Sequence, residues 1–176
     1  MRSTNVCLRT ILLVSAVALS TGLGCAGPEP DTELANALQA AREAAQDTAR
    51  GEEAIALLEA FVQKYPADVT VPEALMQLAV LRQQQGDMVA AVADYRRILE
   101  SFPTSEVADG AQFMIAFVCE EHLHDLDAAR SAYQAVIDNY PDSELVSQAQ
   151  QLLAHVGQDP DTWVPGFQEG STEDPQ

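Results

Sequence analysis

Three stretches of sequence decide the fold: EEAIALLEAFVQKYP at residues 52–66, MVAAVADYRRILESFP at 88–103 and LDAARSAYQAVIDNYP at 126–141. Each stretch ends in an aromatic residue followed by proline, and these pairs recur 37 and 38 residues apart. Self-similarity at a fixed period of about 20–50 residues is the signature of a repeat architecture. Alanines recur eight and thirteen residues after each proline, at Ala74, Ala111, Ala149, Ala79, Ala116 and Ala154.

The apolar residues inside each stretch follow the period of an α-helix. Ala91, Tyr95 and Ile98 lie at positions i, i+4 and i+7, and Ala129 and Tyr133 begin the same spacing in the third stretch. Another helical segment precedes each stretch, so each unit is predicted to be a helix, a tight turn and a helix. The pattern predicts helices near residues 32–49, 51–65, 70–85, 87–101, 105–121, 125–139 and 143–156.

Turn residues mark the ends of these predicted helices. Asp87 and Asp125 stand where an aspartate can accept a hydrogen bond from an unpaired backbone N–H group of the second helix. The proline that closes each stretch cannot continue the helix, so the next turn begins there. Ser105 and Ser143, two residues after two of these prolines, are predicted to cap the helices that follow.

The first 24 residues differ in composition from the rest of the chain. They include two arginines, no acidic residue, and an apolar run at residues 11–19 that is too short to span a bilayer core about 30 Å thick. This composition predicts an export signal peptide. The segment GLGC at residues 22–25 resembles a bacterial lipobox, which implies lipidation of Cys25 and, because Ala26 follows, sorting to the outer membrane. The alternative is ordinary signal cleavage, with Cys25 incidental.

The chain is strongly acidic. Its formal net charge is −18, and all 27 acidic residues lie after residue 24. Such a chain is repelled by nucleic acid and by anionic lipid, so nucleic-acid binding is excluded and a basic partner is permitted. Solubility, or life in a salty medium, explains the same charge equally well.

The repeat resembles the tetratricopeptide repeat (TPR), whose second helix carries small, aromatic, small and proline residues at fixed spacing. That pattern reads Ala91-x3-Tyr95-x2-Ile98-x4-Pro103 here, and again Ala129-x3-Tyr133-x2-Val136-x4-Pro141. In the first helix of the second repeat, Arg82 stands where the TPR pattern usually has a tyrosine. The segment YPDS at residues 140–143 resembles the sequence found at this position in the envelope branch of these proteins. That branch includes the outer-membrane assembly lipoprotein BamD and the Tol-Pal associated coordinator CpoB. The resemblance implies an all-α fold, a short TPR solenoid of about three helix-turn-helix repeats plus a C-terminal capping helix.

The predicted organisation of the chain has four parts. They are a signal peptide at residues 1–24, the lipidated Cys25 with a tether at 25–31, a TPR domain at 32–157 and an acidic disordered tail at 158–176. In TPR solenoids the first helices of successive repeats line a concave groove. By register, the resemblance implies a partner-binding groove formed by Asn36, Gln39, Glu43, Met76, Val80, Gln83, Phe113, Phe117 and Glu120. The alternative is that the apolar members of this set belong to the core.

Catalytic chemistry finds little support in the sequence. Cys119, His122 and His124 form the one cluster of nucleophilic or metal-ligating side chains. Cys119 and His122 share a helix face, but a zinc site needs four ligands, or three and a water, and a fourth candidate is not nearby in the sequence. Cys119 falls at a packed helix position, so a buried apolar role is predicted for it. We therefore predict no catalytic site, no metal and no cofactor.

These features together predict a lipid-anchored TPR adaptor, or scaffold, that binds a protein or peptide partner in the bacterial cell envelope. The chain is expected at the outer membrane, facing the periplasm, and the resemblance to BamD implies outer-membrane protein assembly. The alternatives are a cell-division or envelope coordinator of the Tol-Pal type and a periplasmic holdase chaperone.

Three apolar side chains, Trp163, Val164 and Phe167, interrupt the acidic tail. Aromatic side chains supply much of the contact area at binding surfaces. We predict that residues 161–167 dock on an apolar surface, either on the capping helix or in the groove beside Phe113 and Phe117. A partner-binding motif that is free in the isolated protein is the alternative.

Overall fold

The structure, a computed structural model, describes residues 29–44, 50–158 and 162. Within these residues the chain forms seven helices and no strand, which confirms the predicted short TPR-like helical solenoid. Three helix pairs are followed by one last helix. The helices are α1 (Pro30–Ala44), α2 (Gly51–Lys64), α3 (Val71–Gln84), α4 (Met88–Ser101), α5 (Ala108–Glu121), α6 (Leu126–Asn139) and α7 (Val146–His155).

Each helix packs mainly on its neighbours in sequence, and α1 also contacts α3. This order of contacts is that of a solenoid, in which stacked helix pairs bury one continuous core. Five of the six repeated alanines are fully buried, because a small side chain lets adjacent helices approach closely. The sixth, Ala154 on α7, is exposed.

Large side chains fill the space between the helix pairs. Tyr95 on α4 and Tyr133 on α6 are fully buried, as are Leu58, Phe61 and Ile98. Burying a large apolar side chain contributes about 1.5–3 kcal/mol relative to leaving it in water. The aromatic position of the repeat is therefore a main source of stability in the described part of the chain.

The two predicted aspartate caps are present. The Asp87 carboxylate accepts a hydrogen bond from the Ala90 N–H at 3.0 Å, and the Asp125 carboxylate accepts one from the Ala128 N–H, also at 3.0 Å. Gly86, directly before Asp87, has a φ of +82°, which glycine adopts without strain. These caps fix where the second helix of each later repeat begins.

The predicted serine caps are wrong. Helices α5 and α7 begin three residues later than predicted, with Val107 and Leu145 at their N-caps. The intervening residues form consecutive turns, in which the Ser105 N–H donates to the Phe102 carbonyl and the Ser143 N–H to the Tyr140 carbonyl. Both serines therefore lie in the turn before the helix and do not cap it.

The two serines differ in what their hydroxyls bind. Ser143 Oγ accepts from the Leu145 N–H at 3.1 Å and donates to Asp109 Oδ2 at 2.5 Å, which ties the turn before α7 to α5. Ser105 Oγ is buried without a hydrogen-bond partner. The residue of α3 at the repeat position of Asp109 is Pro72, which has no side-chain acceptor, and this explains the difference.

None of the helices in the described ranges combines the length and hydropathy needed to cross a bilayer. Residues 1–28, which include the predicted signal peptide and Cys25, lie outside the described residues. So do residues 45–49, 159–161 and 163–176.

Candidate functional site

The predicted groove residues all lie on the first helices of the three repeats, α1, α3 and α5. We call the surface formed by these nine residues the first-helix face. On α1 they are Asn36, Gln39 and Glu43; on α3 they are Met76, Val80 and Gln83; on α5 they are Phe113, Phe117 and Glu120.

Apolar side chains form the middle of the first-helix face. Met76 and Val80 are half-buried, and Phe117 keeps 37% of its surface exposed. Phe113, one turn earlier on α5, is buried because its ring packs edge-on against Tyr133, with 5.6 Å between ring centroids. Phe117 is therefore the aromatic ring of α5 that stays partly exposed on this face.

Polar residues at one end of the face are bonded to the buried tyrosines behind it. Gln83 Nε2 donates to the Tyr95 hydroxyl at 2.6 Å, and the Tyr133 hydroxyl donates to Glu120 Oε2 at 3.1 Å. Burial raises the pKa of Tyr95 to about 12, and burial with the nearby Glu120 carboxylate raises the pKa of Tyr133 well above its usual range. Both hydroxyls therefore stay protonated at neutral pH, and Gln83 and Glu120 have a structural role.

The α1 part of the face is polar. Asn36 and Gln39 are exposed, Gln39 Nε2 donates to Glu43 Oε1 at 3.1 Å, and Glu43 also pairs with Arg50. Such exposed pairs contribute roughly 0–1 kcal/mol. These side chains can therefore exchange their protein partners for a ligand at little cost.

A cleft of about 630 Å³ opens beside Met76, between the start of α3 and the turn before α5. Its apolar lining includes Val69, which is 89% exposed, and Val107. Glu73 and Glu106 supply the charged groups among its lining residues, and both are acidic. The cleft therefore combines an apolar wall with a negative rim.

An ion cluster that was not predicted forms around the buried carboxylate of Asp94. Asp94 on α4 is 1% exposed and accepts hydrogen bonds from Arg82 at 2.5 Å and from Arg97 at 3.1 Å. Arg82 also pairs with Glu59, so it links α2, α3 and α4. Burial raises the pKa of the Asp94 carboxyl, against the two arginines, which lower it. Arg82 was the sequence feature that could have predicted this cluster, because an arginine at a packed position needs an acidic partner.

Cys119, His122 and His124 differ in their exposure to solvent. Cys119 is 2% exposed, and burial raises the pKa of its thiol, which disfavours the reactive thiolate. His122 and His124 are exposed after the end of α5, and the His122 ring packs edge-on against Phe117 at 6.0 Å. In the described part of the chain, no three His, Cys, Asp or Glu side chains are grouped so as to hold a metal ion.

Comparison with known proteins supports the resemblance to envelope TPR lipoproteins. No curated protein matches the chain. The profile of the YfiO family, described as "Outer membrane lipoprotein", matches residues 30–158, the range that holds the seven described helices. This match spans well over half of the 176 residues and confirms the predicted BamD-like type of protein. The chain therefore belongs to the YfiO family of outer membrane lipoproteins.

Proposed function

We propose that this protein is a lipid-anchored adaptor that holds a partner polypeptide on its first-helix face, in outer-membrane protein assembly. Family membership supports a place in the envelope, and lipidation of Cys25 would keep the face close to the membrane on its periplasmic side. The observation that carries the proposal is the partial exposure of three apolar side chains of this face, Met76, Val80 and Phe117, together with the acid-rimmed cleft beside Met76.

The cleft indicates what kind of segment the partner offers. Its wall at Val69 and Val107 favours an apolar side chain, since burying apolar surface is the main source of binding free energy. The carboxylates of Glu73 and Glu106 favour basic residues flanking that side chain and disfavour acidic ones. An extended segment with one apolar anchor between basic residues fits both features.

Site-specific photo-crosslinking in intact cells tests this proposal. A crosslinker at Met76, on the first-helix face, should capture one dominant partner. A crosslinker at Val89 on α4, which is 70% exposed and lies off the face, is the matched control and should not capture it. The same products from both positions would refute the face as a binding surface, and a broad set of clients from Met76 would indicate a holdase.

A charge reversal tests the partner chemistry. Glu73→Lys combined with Glu106→Lys should weaken capture at Met76, and added salt should restore part of that capture, because it screens the repulsion between the new positive charges at the rim and a basic partner. Glu100→Lys changes an exposed acid on α4 and serves as the control. Equal loss of capture in the Glu100→Lys variant would show that total charge, and not the cleft, governs binding.

A further inference from the structure

The chain leaves the last helix at a fixed point beside the first-helix face. Val156, directly after α7, is buried, and the Gly157 N–H donates to Glu120 Oε1 at 2.9 Å. Gly157 has a φ of +78°, and a Cβ at this position would lie 2.6 Å from Leu126 Cδ1, so any other residue would strain the backbone and displace the Leu126 side chain. Since Glu120 belongs to the first-helix face, the residues after Gln158 start at the α5 end of that face.

Phe117 lies within reach of this point. It precedes Glu120 by three residues on α5, which is about 4.5 Å along a helix that rises about 1.5 Å per residue. Residues 159–163 span up to about 17 Å when extended. Trp163 can therefore reach the Phe117 ring without a strained path.

The segment that follows has the side chains that an apolar surface needs. Residues 162–168 read TWVPGFQ, an uncharged run between Asp161 and Glu169. Its tryptophan and phenylalanine offer large apolar area, and the prolines at residues 160 and 165 restrict the free segment and so reduce the entropy lost on binding.

We propose that residues 161–167, which apart from Thr162 lie outside the described residues, bind the first-helix face of the same chain with Trp163 against Phe117. The segment then competes with a partner polypeptide for the α5 end of the face, while the cleft beside Met76 stays open. The competition rests on the proposed function, whereas the contact within the chain does not.

A tethered segment competes even when its own affinity is weak. A short flexible linker holds it at an effective concentration in the millimolar range. A segment with a Kd in that range occupies the face about half of the time, so a partner that needs the same surface binds with an apparent Kd about twofold higher. A partner must therefore bind the face more tightly than the tethered segment does in order to displace it.

Fluorescence of Trp163 tests the contact, because it is the only tryptophan in the chain. The mature full-length protein should emit at a shorter wavelength than the same protein in denaturant. Phe117→Ala should shift the emission toward the denatured value, whereas Val89→Ala, which removes an exposed side chain from α4, should not. Because the contact lies within one chain, dilution should leave the emission unchanged, and far-UV circular dichroism should show both variants folded.

Three results would overturn the proposal. Native emission equal to the denatured value would exclude docking. A blue shift that survives Phe117→Ala, or that Val89→Ala also removes, would place Trp163 on another surface. A blue shift lost on dilution would place it on a second molecule.

The crosslinking experiment keeps this proposal separate from the adaptor function. A dominant partner captured at Met76, together with denatured-like Trp163 emission, would refute only the contact within the chain. A docked Trp163 without any partner at Met76 would refute only the adaptor function.

Discussion

Tyr133→Ala should lower the free energy of unfolding by about 3–5 kcal/mol, the usual cost of truncating a buried aromatic side chain. The Tyr133 ring is fully buried between α5 and α6, where it packs on Phe113, and its hydroxyl bonds Glu120. Alanine leaves a cavity and removes both contacts. Tyr133→Phe keeps the ring and loses only the hydrogen bond, and Glu120 retains its bond from Gly157, so we expect a loss of about 0.5–1.5 kcal/mol.

Thermal and urea unfolding of the mature protein, followed by far-UV circular dichroism, measures this difference. At about 2–4 °C per kcal/mol for a chain of this size, the alanine variant should melt roughly 6–20 °C below wild type. It should remain helical at low temperature, because the total stability of a domain is about 5–15 kcal/mol. Gln134→Ala, an exposed change on the same helix, is the control and should shift Tm little.

Two outcomes would refute this reasoning. An unchanged Tm in Tyr133→Ala would mean that the ring is not buried and that the repeat register is wrong. Equal losses in the alanine and phenylalanine variants would place the stabilisation in the hydroxyl and not in the packing of the ring.

Three further predictions concern single residues. Cys25→Ser should abolish acylation and move the protein from the membrane to the soluble fraction; a variant that stays membrane-bound after a high-salt wash would contradict the lipid anchor. Cys119 should react with a thiol reagent far more slowly in the native protein than in denaturant, because its thiol is buried with a raised pKa, and equal rates would disprove its burial. Folding raises the pKa of Asp94 above the value of 3.8 it has in the unfolded chain, so the folded protein binds more protons in the interval above that value. The stability of wild type relative to Asp94→Asn, measured by urea unfolding, should therefore rise as the pH is lowered through this interval, and a difference independent of pH would contradict it.

The sequence predicted helix ends correctly where a side chain bonds to backbone groups close to it in the chain. Asp87 and Asp125 cap their helices as expected, because an aspartate side chain needs only the N–H groups that follow it. Ser105 and Ser143 meet the same compositional rule but lie in consecutive turns. Their hydroxyls depend on what α3 or α5 places opposite them, and residue spacing carries no information on that contact.

The ion cluster and the two phenylalanines of the candidate site also depend on contacts between helices, which residue spacing does not reveal. Arg82 was visible as a departure from the TPR pattern, but its partner Asp94 is one acid among 27, and only the packing of α4 on α3 selects it. The sequence likewise places Phe113 and Phe117 one turn apart on one face of α5.

Their different exposure comes from the neighbouring helix, because Tyr133 on α6 covers Phe113, whereas the edge of His122 leaves Phe117 partly open. Phe113 therefore contributes to stability, and Phe117 is the ring of α5 that stays partly exposed on the first-helix face. The proposed contact would place the Trp163 ring of the tail against this one partly exposed ring of α5.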